Sequence, residues 1–309
     1  MRFTIIVPYR PLTEGSRSNP MCPIRQLQDG RWDPEIKYCN WLKPEFENDE
    51  LHRAIYYINT NSVFKHNIIV AIDSDVYPND TWLKEYDNVK WIKSDWVVPQ
   101  EMWDNPDKSI ISLARMAAAD EAGIASVPDD EWLVYAFIED AIPCKQWDMP
   151  IVDAIKQYDD QYIYVPNFVE CHSGIHSLGG QLIHGQETPD LIWREWRKKQ
   201  CCNALVMPTR EGRTWINEQD FDDYIKVANS GRPEYFIERA GVRQNVYYAF
   251  FVMKAALAKS IPFHKGACFD LAFDAELGMR GIMKMGITDS YVLHPYYEFR
   301  WERPKNVDK

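Results

Sequence analysis

In the stretch Leu133-Val-Tyr-Ala-Phe-Ile-Glu-Asp-Ala-Ile-Pro143, an apolar run leads directly into two adjacent carboxylates, Glu139 and Asp140. A buried strand that delivers acids at its carboxyl end is where an open α/β sheet holds a ligand or a metal. Neighbouring carboxylates suit a hard divalent cation that also grips a diphosphate. The plainer alternative is a helix cap after a core strand, since Asp140 is a good capping residue. Two other apolar runs end in comparable chemistry. Phe3–Val7 runs into Pro8, Tyr9 and Arg10, and Asn67–Ile72 runs into Asp73-Ser-Asp75. The latter pair either caps a turn before Pro78 or faces a ligand from the end of a strand, and its Asp-x-Asp spacing makes Asp75 a second metal candidate.

These groups need a scaffold, and the hydrophobic pattern supplies one. Strands are expected at Phe3–Val7, Asn67–Ile72, Val89–Ile92 and Glu131–Ile138, with helices at Glu50–Asn61 and Ser109–Ala125. The order β-α-β-β-α-β implies a mostly parallel central sheet with helices on both faces. Residues 11–50 show no clear period and read as a long ordered excursion. In the second half a strand is expected at Tyr162–Val169, turns over Cys171–Gly185, and helices at Pro189–Gln200, Asn245–Lys259 and Ala272–Met285. A short strand, Tyr291–Leu293, precedes His294-Pro295. No repeat or flexible linker cuts the chain, so a single domain of 1–309 is expected, with an elaborated C-terminal half.

Composition narrows the class. The net charge of −11 argues against a broad basic nucleic-acid surface. The 14% aromatic content suits a site for sugars or bases, and equally a plain core. No apolar run approaches the length of a membrane span. Seven cysteines without CxxC spacing, and a strand that follows Met1 directly, lead us to expect a reducing, cytoplasmic setting. Cys171, His172, His176 and His184 fit no common zinc spacing and read better as lining for an acceptor site. Trp193 and Trp196, amid Arg194, Arg197, Lys198 and Lys199, read as a surface helix with its rings packed inward.

Taken in order, these segments resemble the GT-A glycosyltransferases, particularly the family 2-like group, whose fold is Rossmann-related. Ile5-Ile-Val-Pro-Tyr-Arg10 is similar to that group's first strand, and Ile68–Asp75 to the strand whose acid contacts the nucleotide. Ala114-Arg115-Met116 is similar to the Ala-Arg-Asn element, without its Asn. Glu139-Asp140-Ala141 takes the place of the Asp-x-Asp metal motif, with Ala141 at the last acidic position. Phe273-Asp274-Ala-Glu-Leu-Gly-Met-Arg-Gly281 looks like the segment whose Asp is the base of inverting members, and Tyr291-Val-Leu-His294 like the element that adds a late metal-binding His.

The resemblance implies a nucleotide-sugar donor held by Pro8, Tyr9, Arg10, Asp73, Asp75, Arg115, Glu139 and Asp140. It implies Mn²⁺ or Mg²⁺ on Glu139, Asp140 and His294, and Asp274 as general base. Residues 1–143 would form the donor half and 144–309 the acceptor half. The acceptor stays open among glycan, lipid, protein and modified nucleic-acid base. Two rivals stand beside this reading: a sugar-phosphate nucleotidyltransferase, and a non-catalytic nucleotide-sugar or glycan-binding protein on a decayed GT-A fold, motivated by Ala141.

Overall fold

In the computed structural model the described residues are 1–9, 50–72, 82–104, 109–135, 141–172, 175–178, 181–184, 204–208, 233–242, 246, 250–265 and 269–295. The first half builds β1 (Thr4–Tyr9), α1 (Glu50–Asn61), β2 (Asn67–Ile72), β3 (Val89–Lys93), α2 (Gln100–Asp104), α3 (Ser109–Ala125) and β4 (Trp132–Tyr135). There follow β5 (Ile142–Pro143), α4 (Asp148–Tyr158), β6 (Ile163–His172), β7 (Ile175–Leu178), β8 (Gln181–His184), β9 (Ala204–Pro208) and β10 (Tyr235–Arg239). Last come β11 (Phe251–Lys254), α5 (Ala255–Ser260), α6 (Phe269–Met279) and β12 (Met283–Pro295).

The main path of the sheet is β10-β12-β6-β11-β4-β1-β2-β3. Strands β3, β2, β1 and β4 run parallel, β11 lies antiparallel between β4 and β6, and β6 and β12 are again parallel to each other. This is the mostly parallel central sheet expected of a GT-A-like α/β domain. Buried side chains alternate between two cores, as a period of two requires. Ile5, Val7, Ile68, Val70 and Val134 face α1 and α4, together with Leu51, Ala54, Ile55, Ile151 and Ile155. Ile6, Ile69, Ala71, Leu133, Tyr135 and Phe251 face the other way, with Ala119, Ile124, Ala255, Ala258, Phe273 and Leu277 from α3, α5 and α6. Gly123 belongs to this second packing. A Cβ there would come within 2.7 Å of Ile6 Cγ2, so glycine lets α3 settle directly on β1.

Four expectations for the second half change. The apolar run at 245–259 is strand β11 followed by the short helix α5. A strand hydrogen-bonded on both sides carries a continuous apolar run, which periodicity does not distinguish from a buried helix. The helix expected over 272–285 starts earlier and stops at Met279, and β12 begins at Met283. The expected strand 291–293 is only the end of that 13-residue strand. The turn-laden Cys171–Gly185 contains the end of β6 and the antiparallel pair β7–β8. The excursion expected at 11–50 falls outside the described residues except for Glu50, and Pro189–Gln200 falls outside them entirely.

Candidate active site at the carboxyl edge of the sheet

Strand β1 is paired on both sides. With β2 the register is continuous from Thr4–Asn67 to Tyr9–Ile72. With β4 the described pairs are Thr4–Leu133 and Ile5–Val134. Pro8, near the end of β1, is buried and has no N–H to give to a ladder. Strand order also reverses here, since β2 and β3 lie to one side of β1 and β4 to the other. The carboxyl ends of the strands at a reversal of strand order are the usual ligand crevice of an open α/β sheet. Tyr9, half-buried, Ile72 and Tyr135 are the last described residues before the gaps that follow β1, β2 and β4. Arg10, Asp73 and Asp75, and Glu139 and Asp140 come next in the chain and lie outside the described residues.

The chain is firmly held where it resumes after Asp140. Ala141 is 0% exposed and belongs to the α1/α4 core, so position 141 is a core position. Strand β5 pairs with β12 through Ile142–Leu293 and Pro143–Val292. Continued by one residue, this register sets the backbone of His294 opposite Ala141, next to Asp140 in the chain. The His294 side chain is outside the description. Asn61 Nδ2 donates to the Pro143 carbonyl (2.7 Å), Cys144 N–H to the Tyr291 carbonyl (3.0 Å), and Ser290 Oγ to the Trp147 carbonyl (2.6 Å).

Behind these lies a buried His66–Asp148 pair. The Phe3 N–H donates to His66 Nδ1 (3.0 Å), which leaves the ring proton on Nε2 to donate to Asp148 Oδ2 (2.9 Å). Asp148 also accepts the N–H groups of Val63 and Phe64, each at 2.9 Å. Burial pushes its carboxyl up, but the hydrogen bonds from His66, Val63 and Phe64 outweigh that and hold it below its ordinary value. The pair ties the starts of β1, β2 and α4 together.

Arg115 lies on α3, which approaches the edge with its N-terminal end because its C-terminal end turns into β4. The half-buried guanidinium carbon is 5.7 Å from the centre of the Trp103 ring on α2. The position therefore combines charge with an aromatic neighbour near the expected donor side.

Asp274 is placed differently from its expected role as base. Its carboxylate is fully buried, 3.2 and 3.3 Å from Lys284 Nζ, and Glu238 Oε1 lies 3.7 Å from the same nitrogen. The level of this cluster can be followed across the sheet. Lys284 pairs with Ile163, and Tyr164 with Val252, which sets Ile163 beside Met253. Met253 pairs with Leu133, and Leu133 with Thr4. Lys284 thus stands in the row of Thr4, five residues or roughly 17 Å before the end of β1 at about 3.3 Å per residue. A base must reach an acceptor hydroxyl. A carboxylate buried against a lysine toward the opposite edge has the surroundings of a structural ion pair.

One turn earlier on the same helix stands Asp270. It is half-buried, and its Oδ1 accepts the N–H of Leu271 (2.9 Å). Helix α6 joins β12 through a short turn and runs back along it, so its first turn is its end nearest the carboxyl edge. Sequence reasoning passed over Asp270 because it started the helix at Ala272. An acid in a first helical turn was the available signal.

Among the described residues no group of three His, Cys, Asp or Glu side chains could hold a metal. The side chains of Glu139, Asp140 and His294, and those of Cys171, His172, His176 and His184, lie outside the described part of the molecule. Two hard carboxylates with an imidazole from the neighbouring strand make a set suited to Mn²⁺, and the carboxylates alone to Mg²⁺. No helix among the described residues is long and apolar enough to cross a membrane.

No protein-family model matches the chain, and no curated protein matches it in sequence. Among solved structures, the chain is similar to GalNAc-T7 in complex with UDP, GalNAc and Mn²⁺, with a TM-score of 0.47 and 9% identity over 95% of this chain. It is also similar to residues 1–349 of TarS from S. aureus, with a TM-score of 0.43 and 11% identity, again over 95% of this chain. The chain spans 43% of the first and 60% of the second. Likeness at this level transfers no activity from either protein to this one.

Proposed function

We propose that the chain is a metal-dependent glycosyltransferase that moves a sugar from a nucleotide-sugar donor to an acceptor hydroxyl with inversion. The observation that carries this reading is the reversal of strand order at β1, with β2 on one side and β4 on the other. In the chain Arg10 directly follows β1, and Glu139 and Asp140 follow β4. The register that brings β12 alongside β5 supports His294 as a third ligand.

In this reading residues 1–143 serve the donor and 144–309 the acceptor. Arg10 and Arg115 pair with diphosphate oxygens, and Pro8 and Tyr9 line the floor. Asp73 accepts hydrogen bonds from the nucleoside, with Asp75 beside it. Glu139, Asp140 and His294 hold Mn²⁺ or Mg²⁺, which when bound neutralises charge on the leaving diphosphate. We assign the acceptor-side base to Asp270 in place of Asp274. It takes the proton of the acceptor hydroxyl as that oxygen attacks the anomeric carbon from the face opposite the nucleoside diphosphate, which leaves as the bond to it breaks.

A thermal-shift panel of UDP-, GDP-, CDP- and dTDP-sugars, each with Mn²⁺, with Mg²⁺ and with chelator, tests this. A ligand that binds only the folded chain at a hundred times its Kd stabilises it by about 2.7 kcal/mol. One base should raise the melting temperature in the presence of metal and much less with chelator. A flat panel overturns the reading. Metal-dependent binding without release of nucleoside diphosphate to any acceptor would reduce the protein to a binding module.

A further inference from the structure

Strand β12 keeps β6 as its neighbour along most of its length, but not in one register. Lys284 to Ile287 pair with Ile163 to Pro166, and pairing resumes with Tyr291 opposite Asn167 and Val292 opposite Phe168. Thr288, Asp289 and Ser290 have no partner on β6, so β12 carries three extra residues between two consecutive residues of its neighbour. Bulges are rare between parallel strands, and they commonly re-aim a side chain beside a functional site.

Three is an odd number, and strand side chains alternate with a period of two. Before the bulge the odd-numbered Met285 and Ile287 face the α1/α4 core. After it the even-numbered Val292 belongs to that core. An insertion of two or four residues would have brought Val292 and every following position out in the opposite phase. Position 294 is in phase with Val292, and Ala141, next to Asp140 in the chain, lies in the same core.

The bulge is tethered at both ends. Asn167, itself buried, donates from Nδ2 to the carbonyls of Ile287 (3.2 Å) and Thr288. The pairing with β6 breaks off at these carbonyls, so the amide stands in for backbone N–H groups. The Thr288 N–H donates to the Glu234 carbonyl (3.1 Å) and its hydroxyl to the Pro233 carbonyl (2.6 Å). Ser290, buried, donates from Oγ to the Trp147 carbonyl (2.6 Å).

We infer that Asn167 is a positioning residue for His294: its amide holds the bulge at three residues, and that count sets the phase in which β12 delivers position 294 to the metal site. The inference deepens the reading of His294 as a metal ligand and rests on it. Without the amide two buried carbonyls lose their donor, and a slip of one residue is the relaxation that lets backbone groups supply one. Such a slip withdraws the imidazole and leaves Glu139 and Asp140, which follow β4. The set then loses its nitrogen donor, and with it the preference for Mn²⁺ over Mg²⁺.

The test is Mn²⁺ binding to the full chain without nucleotide-sugar, read by water-proton relaxation, with Mg²⁺ binding read by displacement of Mn²⁺. Asn167→Ala should weaken Mn²⁺ binding by about 10–100-fold, the scale for losing a group that orients a ligand, and leave Mg²⁺ binding nearly unchanged. His294→Ala should do the same, and the double variant should bind Mn²⁺ no more weakly than His294→Ala alone. A merely structural disturbance would weaken both metals and add to the effect of His294→Ala. Either result overturns the proposal, as does unchanged Mn²⁺ binding by Asn167→Ala. Should Asn167→Ala not fold, Ser290→Ala, which removes one tether at the far end of the bulge, replaces it in the same comparison. A smaller fall confined to Mn²⁺, and absent when His294 is already alanine, supports the proposal, and an unchanged Mn²⁺ affinity overturns it. The two failures are distinct. If His294→Ala binds Mn²⁺ like the parent, the reading of His294 as a ligand falls and the proposal with it. If His294→Ala weakens Mn²⁺ binding and Asn167→Ala does not, the positioning role alone falls.

Discussion

Asp270 and Asp274 sit one turn apart on the same helix, about 6 Å along its axis, yet they inhabit different chemistry. Asp274 is sealed from solvent, faces a buried lysine and shares it with Glu238. Asp270 is half-exposed in the first turn, beside the aromatic corner that closes β4. The difference shows that residue type and motif spacing do not decide the surroundings of two nearby acids. Burial and partner decide them. A carboxylate held by an ammonium in a dry interior is not open to a substrate, and removing one partner leaves an uncompensated buried charge.

The sharpest way to break this contrast is Asp270→Asn. It should lower nucleoside diphosphate release in the presence of acceptor by about 10²–10⁴-fold, the usual effect of losing a general base, with donor affinity and melting temperature nearly unchanged. Normal turnover by this variant would return Asp274 to consideration. The converse test is Lys284→Met, which leaves two carboxylates buried without their cation. Urea unfolding should show a loss of about 3–5 kcal/mol, the range for breaking a buried pair. A neutral result would mean that the cluster is hydrated, and that Asp274 is more accessible than its burial indicates.

The buried pair on the other face sharpens the comparison through pH. Asp148 is depressed in the folded chain by its hydrogen bonds, so its contribution is complete above the unfolded value of about 3.9 and is lost as pH falls through the lower folded value. Asp148→Asn should remove about 1.5–3 kcal/mol near neutral pH, the worth of hydrogen bonds to a charged group. It should also flatten the fall in stability below about pH 4, as read by chemical denaturation across pH. An unchanged acid limb would place the acid sensitivity elsewhere. The smallest effect expected is that of Gly123→Ala. The added methyl meets Ile6 at 2.7 Å, and overpacking of this kind costs about 1–3 kcal/mol. Because α3 carries Arg115, a shift of that helix should also weaken donor binding in the thermal-shift assay, whereas Lys284→Met should leave it intact.

Much of the first half was legible from the sequence, because its elements are local and strongly patterned. Helix α1 falls on the expected Glu50–Asn61, α3 on Ser109–Ala125 and β2 on Asn67–Ile72. Each has one period and clear ends. The second half misled where one apolar run served two elements. Residues 245–259 hold strand β11 and helix α5, with the change of direction at Lys254 and Ala255. Antiparallel β11 sits between β4 and β6, and only those neighbours require it to be extended.

By itself, the amino-acid sequence determined that apolar runs precede Arg10, Asp73 and Glu139–Asp140 in the chain, with helices of clear period between them. These follow from side-chain period and from which residues tolerate strand ends. The tertiary structure alone decided that strand order reverses at β1, that Ala141 is a core position, and that β12 pairs with β5 through Val292 and Leu293. It also decided that Lys284 claims Asp274 and leaves Asp270 at the edge. Those outcomes depend on pairing and burial between residues far apart in the chain, and the charge of a carboxylate is governed by what surrounds it in space.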